Sequence, residues 1–250
     1  MKVISLRDIR KRFMAQPEKY LNLKKQRGMT LLEIIIVLGI IGTIAAGVVV
    51  LAQRAFDSKA ISDLVTNTNT VRTIIKETYG PSGIYPTTDS DGTLGLTEAT
   101  IKDTASSVVP IAALVQLGKI STNEAKNNIS SNFFNIGAAT IGTATGNRAY
   151  FVEVNGLDQK QCRNILLQTG SQWDFVEVRN AGVGAGTYAI TTGTVPNLAD
   201  TNVVDPATVT DGDGGIIRSL ANTGNYTLTP QNIIGICSDS AENALILGSR

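Results

Sequence analysis

From Met29 to Ala52 the chain runs through 24 residues in which Glu33 is the single charge. As a helix at ~1.5 Å per residue this stretch is about 36 Å long, enough to cross a ~30 Å hydrocarbon layer. The helical pattern continues beyond it. Phe56, Ala60, Ile61, Leu64, Val65, Val71, Ile74 and Ile75 recur at the spacing of one helix face. Arg54, Asp57, Lys59, Asp63, Arg72, Lys76 and Glu77 fall on the other side. No proline interrupts Met29 to Tyr79, and Gly80-Pro81 then stops the run. The pattern therefore predicts one helix over about 29–79, far longer than the usual dozen residues. Gly39, Gly42 and Gly47 leave room on it for close helix–helix approach.

After Pro81 the periods shorten and Gly, Thr, Ser and Asn dominate. Ile111–Leu117 after Pro110 reads as a short helix ended by Gly118, and Ser121-x-x-Glu124 as a capping box. Arg148–Val154 and Trp173–Arg179 alternate around aromatic and β-branched residues, as strands do. Asp158 suits the N-cap of a helix carrying Cys162, Ile165 and Leu166. Ala241–Leu247 reads as a closing strand, with Ile216–Leu220 or Ile233–Cys237 as further ones, and 180–215 as a long loop. The expected class is α+β: a long N-terminal helix packed against a mainly antiparallel sheet.

The formal net charge of +1 hides a split. Residues 1–28 carry nine basic and two acidic side chains, and the remainder thirteen and nineteen. A nucleic-acid binder concentrates positive charge in its folded domain, so this distribution argues against one. Basic residues before an apolar span stay in the cytoplasm, which places the chain beyond about 53 outside. With no histidine, catalytic Ser-His-Asp and Cys-His arrangements and imidazole-bound zinc are excluded. There is no compact acid–base pair, and the reading is of a chain that is not an enzyme and needs no cofactor. Asp89-Ser-Asp91-Gly92 and Asp211-Gly-Asp213-Gly-Gly215 lack the remaining oxygen ligands of a calcium loop, and turn chemistry accounts for both. Cys162 and Cys237 form no CxxC pattern, and in an exported domain they suit a structural disulfide.

A plain signal anchor shares the length and apolarity of 29–52. Three details favour something more specific. Gly28 stands at the junction between the basic and apolar segments, where a cut would leave the apolar helix on the mature chain. Glu33 lies within that helix, where an unpaired acid costs on the order of 2.5–3.5 kcal/mol. A new α-amino group on Met29 would be a partner for it. The helix also continues past the membrane boundary.

The run Gly28-Met-Thr-Leu-Leu-Glu33-Ile-Ile-Ile-Val-Leu-Gly39 resembles the prepilin peptidase motif of type IV pilins. A 28-residue leader and a methionine at the first mature position resemble the type IVb group. Gly47–Ser58, Leu117–Ser121, Glu124–Asn127 and Asn155–Gln159 are similar to the toxin-coregulated, longus and colonisation-factor pilins of enteric bacteria. The resemblance implies cleavage between Gly28 and Met29, N-methylation of Met29, and a role for Glu33 with Met29 in assembly. It also implies a Cys162–Cys237 bond pinning the C-terminal region. The domains expected are a leader at 1–28, a transmembrane and filament-core helix at 29–52, and a pilin head at 53–250. The implied function is that of a major pilus subunit, with a minor (initiating or tip) pilin or a type II secretion pseudopilin as alternatives. The implied partners are other copies of the chain, the prepilin peptidase/methylase, inner-membrane assembly machinery and a minor pilin. The head would lie in the periplasm before assembly and on an extracellular pilus afterwards.

Overall fold

The computed structural model describes residues 30–144, 146–180, 187–191, 193–210, 212–221, 226–239 and 242–250. Gly28, Met29 and Asp211, all singled out by the sequence, lie outside them. The chain divides into two compact units, Met1–Arg54 and Ala55–Arg250. Helix α1, Leu31–Tyr79, is continuous in its secondary structure from the first into the second.

In the first unit every residue from Thr30 to Leu51 is exposed. Leu31, Ile35, Leu38, Ile44 and Leu51 each expose more than half their surface. The side chains of α1 that are buried are Ile61, Leu64, Thr68, Val71 and Ile75. Their alternating steps of three and four residues form a single stripe.

The second unit is built on a five-stranded sheet, β1 Asn135–Ala139, β2 Ala149–Leu157, β3 Phe175–Asn180, β4 Gly215–Arg218 and β5 Asn243–Ser249. The order is β1-β2-β5-β3-β4, and every neighbouring pair is antiparallel. The strand latest in sequence thus occupies the middle. Alternation gives the sheet two apolar faces. Tyr150, Val152, Val154, Val176, Val178, Leu245 and Leu247 join the α1 stripe and Trp173 in the larger core. Phe151, Phe175, Ala244 and Ile246 point the other way and meet Ile190 and Leu198.

Three short helices complete the unit: α2 Ser90–Leu94, α3 Pro110–Gln116 and α4 Gln159–Thr169. Asp89, one of the calcium-like acids, is the N-cap of α2 and accepts from Gly92 N at 2.9 Å. Pro110 starts α3, where its missing N–H costs nothing. Asp158 caps α4 in a reciprocal box with Gln161, at 2.7 and 3.0 Å.

Some sequence expectations require correction. Ile233–Cys237 is a turn rather than a strand, touching the sheet region through a single bridge from Cys237 to Asp213. Ser121 and Glu124 form the reciprocal pair expected of a capping box, Ser121 N donating to Glu124 and Glu124 N to the Ser121 hydroxyl, and it closes a turn. Strand β1 lies in a stretch to which the sequence reading assigned no element. Of the stretch 180–215, Asn180 ends β3 and Gly215 begins β4; the described residues between them form no named strand or helix, as expected, yet they are packed onto the sheet through Ile190 and Leu198.

Candidate assembly helix and the fastenings of the head

Of the residues expected to act in assembly, Glu33 is the one the structure describes. It sits in the first turn of α1, and its backbone N lies 3.3 Å from the Thr30 hydroxyl oxygen and 3.0 Å from the Thr30 carbonyl. Thr30 is therefore an N-cap, and Thr30-x-x-Glu33 is a capping-box signal that the sequence reading passed over. An acid in the first turn also complements the positive end of the helix dipole. The helix behind it presents apolar side chains on all sides to about Leu51, a surface made for other hydrocarbon. Among the described residues, α1 is the one helix long and apolar enough to cross a membrane.

The head has its own fastenings. Cys162, on the first turns of α4, is bonded to Cys237, and both are buried. The same seam is reinforced by Gln159 Nε2 donating to the Cys237 carbonyl at 3.1 Å and by the Arg163 guanidinium donating to the Ile234 carbonyl. Asn243, at the start of β5, accepts from Ser238 N at 2.7 Å and donates to the Leu157 carbonyl at 3.1 Å. The C-terminal strand is thus tied at its entry to both β2 and the disulfide-bonded segment.

Two buried carboxylates were missed by sequence reasoning. Glu153 and Glu177 both stand opposite Ile246 on β5, one from each side, on the outer face of the sheet. Glu177 pairs with Arg179 at 2.6 Å. Burial raises its carboxyl above the usual range, against the pull of Arg179. Glu153 is 1% exposed and accepts from Asn135, Ala189 and Ile190. Burial pushes it up to about 7, outweighing those hydrogen bonds and the Arg179 charge. Among the described residues no group of three His, Cys, Asp or Glu could hold a metal. These carboxylates serve packing and loop attachment.

Comparison with known proteins fits this division of labour. Residues 23–49 match the prokaryotic N-terminal methylation motif. Residues 113–243 match the family model of the toxin-coregulated pilus subunit TcpA. The chain is 34% identical over 229 residues to the toxin coregulated pilin of Vibrio cholerae serotype O1 (strain ATCC 39315 / El Tor Inaba N16961), covering 90% of each. The chain belongs to the toxin-coregulated pilus subunit family of type IV pilins.

A second Vibrio cholerae toxin coregulated pilin is 33% identical over 227 residues, again with 90% of each chain covered. The crystal structure of TcpA, a type IV pilin of Vibrio cholerae El Tor biotype, superimposes with a TM-score of 0.59 at 25% identity. It covers 77% of this chain and 99% of that one. The long helix plus antiparallel sheet is accordingly the type IV pilin fold. A type IV pilin is a structural filament subunit, and its methylation motif and apolar helix imply prepilin processing, membrane anchoring and incorporation into a surface pilus.

Proposed function

We propose that this protein is the major subunit of a type IVb pilus, cut between Gly28 and Met29 and methylated on Met29. Residues 29–52 hold it in the inner membrane with residues 53–250 in the periplasm. Assembly machinery in that membrane then moves the helix into a filament, which a minor pilin starts or tips. The filament serves colonisation, aggregation and adhesion at the cell surface.

One observation carries this reading. The side chains of α1 from Leu31 to Leu51 are exposed, with Glu33 as the single charge. The core of Ala55–Arg250 takes its α1 residues from Ile61 onward. The head is therefore closed without the apolar segment, which is left to bury itself first in lipid and then against its own copies. Burial at ~25 cal/mol per Å² over so many aliphatic side chains supplies the cohesion. Glu33 adds selectivity, by pairing with the Met29 amine of a neighbouring subunit. A desolvated pair of that kind sets register more than it adds net stability.

The test is the N-terminal mass and sequence of protein taken from sheared surface filaments. A chain starting at methylated Met29 is the expected result. A chain starting at Met1, or beyond Ala55, overturns the proposal.

A further inference from the structure

The segment 187–191 crosses the outer face of the sheet as irregular backbone; Asn155 Nδ2 donates to the Thr187 carbonyl at 2.8 Å and the Tyr188 hydroxyl to the Phe133 carbonyl, and its centre is attached through one titratable side chain. Glu153 projects from β2 into the gap beneath it. Ala189 N donates to Oε1 at 2.5 Å and Ile190 N to Oε2 at 3.2 Å. Asn135 of β1 bridges the two, its Nδ2 lying 2.8 Å from Glu153 Oε2 and 3.1 Å from the Ile190 carbonyl. Thr88 in turn holds Asn135 Oδ1 at 2.8 Å. The Ile190 side chain, fully buried, covers the patch that contains Phe151, Phe175 and Ile246. We propose that Glu153 is a proton-operated fastening, holding the 187–191 strap over the outer face more firmly in mildly acidic than in neutral or alkaline surroundings.

The direction follows from solvation. With the strap seated, the carboxyl group is shut off from water; with it lifted, the group is hydrated. An ionised carboxylate regains its hydration on lifting, whereas a neutral carboxyl has little to regain. The seated state therefore binds the proton more tightly, and by linkage each proton bound favours seating. The surrounding groups do not reverse this. On β1, Asn135 is neutral. On β3, Arg179 favours the charged form, but it lies 2.6 Å from Glu177 and is shared with it. On the strap itself, the Tyr188 hydroxyl donates to the Phe133 carbonyl at 2.6 Å. Burial and the nearby Glu153 raise that hydroxyl well above its ordinary range, so it carries no charge here. Burial wins over the three donors and Arg179, and the seated carboxyl titrates at about 7. The ordinary value of 4.5 applies once the strap is lifted, so the window of control is about pH 4.5–7.

Hydrogen–deuterium exchange on the full mature chain in detergent tests this, following the peptide over 187–191 from pH 5 to 8. Exchange is divided by that of an unstructured peptide at the same pH, which removes the intrinsic base catalysis. Protection of the strap is expected to fall about fortyfold between pH 5 and 7, as follows for a carboxyl titrating at about 7 when seated and at 4.5 when lifted, and to level off above that, while α4 stays flat. In Glu153→Gln, which carries no titratable group, strap protection is expected to be independent of pH. Wild-type protection constant within twofold would overturn the proposal, and so would an undiminished fall in Glu153→Gln. The wild-type series decides by itself if the variant does not fold.

Discussion

The guanidinium of Arg72 lies over the ring of Trp173, 4.8 Å from its centroid, joining the helix α1 to the turn that precedes β3. Trp173 is the only tryptophan in the chain and is 1% exposed. The contact therefore shields a fully buried ring with a side chain that is itself half-buried. Such contacts contribute about 0.5–2 kcal/mol, more when desolvated. Arg72→Gln should lower the urea midpoint of the head by roughly 1 kcal/mol equivalent and shift the tryptophan emission. An unchanged midpoint together with an unchanged spectrum would show that the ring is held by its other neighbours.

Glu33 stands in the first turn of an otherwise apolar exposed helix segment. Glu33→Val should be exported and cut normally yet yield few or no filaments by electron microscopy. The head should be unaffected, because its core begins at Ile61. Abundant normal filaments from the variant would refute the pairing role.

Cys162 and Cys237 close a loop of sequence separation 75. Loop-closure entropy puts the bond at about 4.5 kcal/mol, and native strain can only reduce that figure. Replacing both cysteines with serine should lower the stability of the head by about 2–4.5 kcal/mol, read as a fall in Tm under non-reducing conditions. A double variant melting with wild type would mean that the α4 seam is held by Gln159 and Arg163 alone.

Gly137 sits on β1 where a Cβ would come within 2.7 Å of the Thr88 backbone. The neighbouring Ala138 N donates to the Pro86 carbonyl at 2.7 Å, so the 86–88 segment is held hard against the strand. Gly137→Ala should cost roughly 1–3 kcal/mol as overpacking. Circular-dichroism melting would register this; a stability equal to wild type would mean that the 86–88 segment yields freely.

What the sequence disclosed and what it concealed divide along local and non-local lines. Helix α1 was legible because its period and the Gly80-Pro81 stop are local signals. Helix α4 was legible from Asp158, and β2 and β3 from alternation around Tyr150, Phe151, Phe175 and Val176. Strand β1 (Asn-Ile-Gly-Ala-Ala) was not, since its residues have weak strand preference and owe their place to pairing with β2 and to the close passage of Thr88. Ile233–Cys237 looked like a strand for its apolar content, but its shape is a turn held by the disulfide and the α4 side chains. Glu153 and Glu177 alternate with Val152, Val154, Val176 and Val178, a pattern that usually means a wet outer face. That face is instead roofed by residues around Ile190 and Leu198, far along the chain, so no local pattern could announce a buried carboxylate there.

The central position of β5 sets the order in which the head can come into being. Until Asn243–Ser249 emerges, β1–β2 and β3–β4 are two separate ribbons with no hydrogen bonds between them. Cys237, equally late, withholds the disulfide for nearly as long. The sheet is therefore completed only when the strand latest in sequence is in place, and its two halves are joined through that strand alone.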